Sequence, residues 1–548
     1  MPQRIRAIGI DFDGTLSDGG RPATDTLQSL RETRESGRRL LLVTGRILVE
    51  LRSVFPDVDV FFDTIVAENG ALLARKAGLR RLTRPIALEL DEALIHRNVQ
   101  FRRGQVLIAS TADFGHIVLE EISRLGLDCQ IIHNRNEIMV VPSGVTKGSG
   151  LAAALAELGV SPHNAAGLGD AENDYTLLDA CELGVAVANA VPSLKDHADL
   201  VLPEPGECGV TGFLRGPVLR GEQAIESKRW SVEIGRFPDD SPVYVPASGL
   251  NVLFEGETLT GKSFAAGLFA EGLLALGYSI CVLDPEGDHR GLGGLHGCRV
   301  IGGNEPLPSP EQLADLFQPT FGSVVVDLSL LPRQERMKTS TRFLEALQHQ
   351  REKSGFPHWI FIDEAHVPLG VEGPACPLLR PEQKGFCLVT FQPDHLCARA
   401  RDAVDLVVTA EGGGQAHLSR PGTKQAGQPF VFAERLTRHV RHRHKYLHAA
   451  LPPKKRFYFC DLGRLTGRSA GNLEEFHQEL RACSPAVVRQ HMARHDFSRW
   501  VRDVIQDAEL AGRLLAIEDG PQTDEAEGLV ERIRAELLDE IERRYLSA

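Results

Sequence analysis

The chain opens on an apolar run at residues 5–10, and the runs at 40–43 and 185–187 repeat it, separated by stretches whose apolar side chains recur at helical spacing. Continuous apolar strands alternating with amphipathic helices are the pattern of a parallel sheet covered on both faces, so the expected fold class is α/β, repeated in more than one domain. A second series of the same kind begins near Val243, with strands expected at 251–254, 280–283, 324–327, 359–362, 386–390 and 406–408. The polar, Gly- and Pro-containing stretch 203–228 reads as the end of the first unit and a linker. From about Arg435 the pattern turns helical and rich in Arg and His, with Phe457, Phe459, Phe476, Phe497 and Trp500 as the expected core of a small helical domain. After a Gly-Pro break at Gly520, an acidic amphipathic helix carries Val530, Ile533, Leu537 and Ile541 on one face. The boundaries expected are therefore 1–218, 219–435, 436–519 and 520–548, and a chain of 548 residues exceeds what one core accommodates.

Composition adds exclusions. No stretch approaches the ~18 apolar residues of a membrane span, and the N-terminus runs straight into a strand without a secretory leader, so a cytoplasmic location with no membrane partner is expected. Ten cysteines occur singly with no C-x-x-C pair, which predicts reduced thiols. A net charge of -13 argues against a globally basic nucleic-acid binder and leaves a local basic channel open.

The first strand ends in D-F-D-G-T-L, residues 11–16, which sets Asp11 and Asp13 two apart on one strand face. One carboxylate can attack phosphorus while the other protonates the leaving oxygen and then activates water. The strand L-L-L-V-T-G-R ends with Thr44, whose hydroxyl can hold a phosphoryl oxygen, and Arg46 supplies charge nearby. Lys147 opens a helix in G-V-T-K-G-S-G, and G-L-G-D-A-E-N-D places Asp170 and Asp174 at another strand end as hard oxygen ligands for Mg²⁺.

These four elements in this order, with I-V-A-E-N-G-A around Asn69 and the closing E-C-G-V-T-G-F, resemble the haloacid dehalogenase (HAD) superfamily, in its Cof-type, sugar-phosphate-phosphatase-like branch, over roughly residues 4–215. The resemblance implies Asp11 as nucleophile, Asp13 as general acid/base, and Thr44 and Lys147 as phosphoryl binders. It also implies Asp11, Asp13, Asp170 and Asp174 around Mg²⁺, Asn173 in support and Arg46 on the substrate. A small α/β cap, at about 72–142, is implied over the site. Arg102, Arg103, His133 and Arg135 are cap residues able to meet an anionic substrate or to form a solvated charged face.

Residues 256–263, G-E-T-L-T-G-K-S, fit G-x-x-x-x-G-K-[ST] between a strand and a helix-compatible run. Gly256, Thr260 and Gly261 would form the phosphate cradle, Lys262 would reach the β- and γ-phosphates of ATP, and Ser263 would ligate Mg²⁺. H-W-I-F-I-D-E-A-H puts Asp363 and Glu364 at a strand end, the first for the metal and the second to polarise the attacking water. Together with D-P-E-G-D after the preceding strand and Gln392 at the end of G-F-C-L-V-T-F-Q, this is similar to the HerA/FtsK group of ring-forming ATPases over roughly 230–435. The resemblance implies ATP hydrolysis and homo-oligomers with sites completed by a neighbour's arginine, for which Arg399 and Arg401 are the candidates. Translocation is not carried over, because the loop reads E-T-L-T and no N-terminal barrel is evident.

The basic stretch 438–445 meets phosphates or solvates a helix, and His491 and His495 have the spacing of a metal pair or of packing histidines. The reading that unites these features is a phosphatase for a small phosphorylated metabolite, such as a sugar phosphate, joined to an ATPase. A nucleic-acid end-processing machine and an ATP-dependent regulatory assembly are the alternatives.

Overall fold

The computed structural model describes residues 5–134, 136–257, 260–317, 322–422, 427–437, 451, 453–461, 463–505, 507–520 and 527–543. The apolar run near the N-terminus forms β1 (Ala7–Asp11), buried throughout, and is followed by β2 (Arg39–Val43), β3 (Thr64–Ala67), β4 (Leu72–Arg75) and β5 (Gly78–Arg81). An inserted layer then contributes β6 (Phe101–Arg103), β7 (Ile108–Thr111), β8 (Cys129–Asn134) and β9 (Glu137–Pro142), before β10 (Ala165–Gly169), β11 (Leu183–Ala186) and β12 (Leu200–Val201) return to the first sheet.

That sheet has the order β12-β11-β10-β1-β2-β3-β4-β5, parallel from β12 to β3. Strands β4 and β5 pair antiparallel at its edge, so residues 72–81 belong to this sheet and the inserted layer begins beyond Arg81, not at 72. The inserted layer is a separate antiparallel sheet, β6-β7-β9-β8, packed by the helices Leu88–His96 and Gly115–Leu125. Residues 206–220, expected within a linker, fold as two helices whose Val210, Phe213 and Leu219 join the first core.

The second α/β unit begins earlier than expected, with the hairpin β13 (Ser231–Arg236) and β14 (Pro242–Pro246). It continues through β15 (Val252–Glu255), β16 (Ile280–Asp284), β17 (Cys298–Gly302), β18 (Ser323–Asp327), β19 (Trp359–Ile362), β20 (Phe386–Thr390), β21 (Leu406–Gly412), β22 (Gln415–Ser419) and β23 (Gln428–Phe432). Its order is β14-β13-β23-β22-β21-β15-β20-β19-β16-β18-β17, with the seven strands from β21 to β17 parallel.

The C-terminal region is not purely helical, because 457–459 lie in β24 (Phe457–Asp461), which pairs with β25 (Arg464–Ala470) in a hairpin. The closing helix is not a separate element: Val530, Ile533, Leu537 and Ile541 share one core with Phe459, Phe476 and Leu514. Its apolar stripe is therefore covered within the chain and needs no second copy to bury it. Residues 438–445 lie outside the described residues.

The two large sheets meet through their N-terminal strand ends. His163, before β10, lies 2.7 Å from Glu182 through Nδ1 and 2.9 Å from the Leu276 carbonyl through Nε2. Glu182, before β11, accepts the Tyr278 hydroxyl at 2.7 Å and also the Ser248 hydroxyl. These contacts lie at the strand ends opposite those that carry Asp11 and the loop after β15. Cys376 and Cys397 form a disulfide, a pairing that their single occurrence in the sequence did not predict. Among the described residues, no helix is long and apolar enough to cross a membrane.

Candidate functional site

Asp11 ends β1, Asp170 follows β10, and these neighbouring parallel strands bring the two carboxylates together from residues far apart in sequence. Asp174 sits in the turn after Asp170, and ligand oxygens of Asp11, Asp170 and Asp174 lie within 4.8 Å of one another, all buried. Lys147 is the first residue of the helix Lys147–Leu158, whose N-terminus is fixed by a capping box between Thr146 and Ser149. From there its buried ammonium lies 2.7 Å from Asp11 and 2.7 Å from Asp174.

Three buried carboxylates against one ammonium leave an excess of negative charge. Burial, with Asp174 and then Asp170, pushes the Asp11 carboxyl well above its ordinary range, against the pull of Lys147. Burial alone would lower the Lys147 ammonium, but Asp11 and Asp174 more than offset it and hold the lysine charged. This all-oxygen donor set and unbalanced charge fit a divalent cation such as Mg²⁺, which HAD hydrolases use. Within the cluster Asp174 is already engaged, one oxygen with Lys147 and the other accepting the Asp170 and Ala171 N–H groups at 3.0 Å each. Asp11 and Asp170 are thus the better placed to hold the ion, with Asp174 shaping the loop beneath it. Asp170 also accepts the Thr15 hydroxyl at 3.1 Å, a contact made by the motif's threonine that the sequence reading left without a role.

The Asp13 carboxylate does not join this cluster, contrary to the expectation of a fourth metal ligand. Arg46 holds it through Nε at 2.7 Å and Nη2 at 2.6 Å, so Arg46 is turned toward the acid and not solely toward a substrate. Thr44 is buried at the end of β2 and its Oγ1 accepts the Arg46 N–H at 3.1 Å. Both ends of the Asn173 amide are buried without a hydrogen-bond partner among the described residues, as suits a side chain that waits for an oxygen of a ligand.

The inserted layer covers this end of the sheet. Met139 reaches to 3.0 Å from the position a Cβ on Gly45 would occupy, and an apolar cluster of Ile47, Ala71, Val106, Met139 and Val141 joins layer to core. The proposed anion-binding arginines of the layer are committed elsewhere: Arg102 pairs with Glu50 and Glu137, and Arg103 with Asp91. His133 is exposed, and Arg135 lies outside the described residues. Sequence reasoning passed over Glu68, buried at the core's edge, whose carboxylate accepts backbone N–H groups of Gln105, Val106 and Leu107 from this layer.

The second constellation gathers at the C-terminal strand ends of the other sheet. Gly256, Thr260 and Gly261 belong to the loop after β15, with Thr258 and Leu259 outside the described residues, and the helix Lys262–Ala275 follows directly. Gly256 and Gly261 have φ of 143° and 103°, where a side chain would be strained. Lys262 and Ser263 are buried, and Lys262 Nζ donates to the Glu257 carbonyl at 2.8 Å.

Strand β20 lies between β15 and β19, pairing Thr390 with Glu255 and Leu388 with Ile362, which carries Gln392 and the pair Asp363–Glu364 to the same edge as the loop. Glu364 has φ of 49°, and its carboxylate lies 3.4 Å from His366, whose Nδ1 is 3.0 Å from the Thr390 hydroxyl. Asp363 lies 3.4 Å from buried His289, and burial raises nearby Asp284 to about 7. His491 is a packing histidine: it pairs with Asp496 at 2.8 Å and accepts the Cys460 N–H at 2.9 Å, while His495 faces Glu518 and Asp519.

Residues 8–113 and 105–214 match the family of haloacid dehalogenase-like hydrolases. The phosphoglycolate phosphatase of Methanothermobacter thermautotrophicus is 31% identical over 218 residues, which cover 98% of that protein and 38% of this chain. The 5-amino-6-(5-phospho-D-ribitylamino)uracil phosphatase YcsE of Bacillus subtilis is 25% identical over 240 residues, covering 96% of it and 39% of this chain. A haloacid dehalogenase-like hydrolase from B. subtilis of known structure is 18% identical, with a TM-score of 0.34, and covers 38% of this chain and 99% of that one. With its aspartate-lysine site set between β1 and β10 and near-complete coverage of such a phosphatase, the chain belongs, through its N-terminal α/β unit, to the haloacid dehalogenase-like hydrolases.

Proposed function

We propose that the N-terminal unit hydrolyses a small phosphorylated metabolite through an aspartyl-phosphate on Asp11. The observation that carries this reading is the Asp11 carboxylate held 2.7 Å from Lys147 inside a buried cluster with Asp170 and Asp174. Asp11 attacks phosphorus and the bond to the leaving oxygen breaks; Asp13, entering the step protonated with one oxygen released from Arg46, gives the leaving oxygen that proton and then recovers one from the water that cleaves the acyl phosphate. Lys147 stays charged throughout and neutralises the phosphoryl oxygens, and the Thr44 hydroxyl and Asn173 amide donate to them. Mg²⁺, held by Asp11 and Asp170, would supply further charge neutralisation at the phosphoryl group.

The covering layer supports a compact substrate over a polymer end, because a four-stranded sheet and two helices stand over the strand ends. Phosphoglycolate and sugar phosphates are the substrate classes to test first. Phosphate release from these, from nucleotides and from 5′- or 3′-phosphorylated oligonucleotides decides the matter; preference for the oligonucleotides would replace this reading with end-processing.

For the second unit we propose ATP binding and hydrolysis. Its support is the convergence of Lys262, Glu364 and Gln392 at one sheet edge, with β20 between the loop strand β15 and the acidic strand β19. A homo-oligomer with shared nucleotide sites rests on the likeness of Asp363, Glu364 and Gln392 to the ring-forming group, with Arg399 and Arg401, both exposed on the short helix Ala398–Asp402, as the candidates to complete a neighbour's site.

A further inference from the structure

The segment Glu68-Asn69-Gly70 carries three consecutive positive φ angles, 53°, 55° and 102°. Two of the three residues have side chains, and such backbone persists only where its surroundings enforce it. Gly70 is required there, since a Cβ would stand 1.9 Å from the Thr146 carbonyl oxygen, beside Lys147. The turn aims the Glu68 side chain into the tip of the β6–β7 hairpin of the inserted layer. Oε1 accepts the Gln105 N–H at 2.8 Å, and Oε2 accepts those of Val106 at 2.8 Å and Leu107 at 3.2 Å. The hairpin tip is itself closed by Gly104 N–H on the Leu107 carbonyl at 2.9 Å.

Gly104 gives the carboxylate its room, for a Cβ there would lie 2.6 Å from it. On its other side, Glu68 is tied to the phosphoryl-binding loop: its N–H donates to the Arg46 carbonyl at 3.0 Å, and the Asn69 N–H to the Thr44 carbonyl at 3.0 Å. One fully buried residue thus links the loop of Thr44 and Arg46 to the layer above it.

We propose that Glu68 is a positioning residue that seats the inserted layer over the Asp11 site and so sets which phosphomonoesters are held there. A carboxylate accepting three N–H groups fixes both distance and angle, which a purely apolar contact would not. Substrates that need the layer to close over their organic part depend on this seat; acetyl phosphate, with almost no organic part, depends on it least. The inference rests on the phosphatase reading for its kinetic consequence, while its structural core does not.

Glu68→Ala and Gly104→Ala are compared with the wild-type full-length chain, singly and together. The amide hydrogens of residues 105–107 are expected to exchange at least about tenfold faster in Glu68→Ala. KM for the best organic phosphomonoester should rise about tenfold or more, with kcat and acetyl phosphate turnover changed by less than about threefold. Gly104→Ala should act in the same direction and the double variant should be less than additive, because removing the carboxylate frees the space the new methyl needs. Unchanged exchange at 105–107, or losses equal for acetyl phosphate and the organic substrate, overturns the proposal. Should Glu68→Ala not fold, Gly104→Ala carries the same two measurements. A wild-type chain inactive on every phosphomonoester would instead overturn the phosphatase reading, with the exchange experiment still deciding the seat.

Discussion

Arg46 and Asp13 face each other fork to fork, the guanidinium Nε and Nη2 standing 2.7 and 2.6 Å from the two carboxylate oxygens. The pairing separates two acids that stand two residues apart in the sequence. Asp11 stays in the buried field of Lys147, whereas Asp13 is drawn aside and oriented by a planar partner. The two acids therefore stand in different surroundings, Asp11 against a buried ammonium and Asp13 against a half-buried guanidinium.

Replacing Arg46 with Lys keeps the charge and loses the two-point grip. The expected outcome is a fall in kcat of about ten- to a hundredfold with little change in KM, since proton transfer to the leaving group suffers more than binding. Steady-state kinetics on a substrate with a poor leaving group measures this. A rise in KM alone would place Arg46 on the substrate and not on Asp13.

Asp11→Asn should abolish phosphatase turnover, because a carboxamide is a far weaker nucleophile than a carboxylate. It also removes a negative charge from a crowded buried cluster, so the variant should melt no lower than wild type, and any ATPase activity should persist. Phosphate release at near wild-type rate would remove Asp11 from the nucleophile's role.

Much of the first site was legible because each part lies at the end of an apolar run. D-F-D-G-T, T-G-R, T-K-G and G-D-x-x-N-D each mark a strand or helix end, and a parallel sheet gathers such ends on one edge. Glu68 was not legible, because its partners lie 37 to 39 positions away in a hairpin tip and are backbone groups without sequence identity. Strands β5 and β25 were missed for a different reason: G-L-R-R is exposed at every position and R-L-T-G-R-S-A at most of its length, so neither shows an apolar alternation. The stripe on the closing helix announced burial but not its partner. Only the packing of Leu537 and Ile541 with Phe476 and Leu514 settles that.

In the second unit, Lys262→Ala should weaken ATP binding by about tenfold or more through the loss of a charged phosphate contact, whereas Glu364→Gln should leave binding within about threefold and stop hydrolysis. Titration with a fluorescent ATP analogue, followed by single-turnover hydrolysis, separates the two. Equal loss of affinity in both variants would take Glu364 out of the water-positioning role.

The junction between the two sheets should be acid-sensitive, and His358 is the reason. It lies just before β19, where its Nδ1 accepts the Ser279 N–H at 2.8 Å and its Nε2 stands 3.2 Å from the Asn164 Oδ1, an arrangement that suits the neutral ring with its proton on Nε2. Burial, then the charges of His163 and Arg351, hold its pKa well below the usual histidine value. Glu182 faces His163 and not His358, and among the described residues the charges that act on this ring are those of His163 and Arg351. Between the lowered folded value and the ordinary unfolded value near 6.5, the unfolded chain binds a proton that the folded chain refuses. The stabilising contribution is therefore complete above about pH 6.5 and is lost as pH falls through that window, at about 1.4 kcal/mol per pH unit. Thermal unfolding followed from pH 7.5 to 5.5 should show this fall. His358→Asn should be less stable at pH 7.5, because the Ser279 N–H and Asn164 lose a well-placed partner, yet its melting temperature should change less with pH. A variant as acid-sensitive as the wild type would assign the proton uptake to another group.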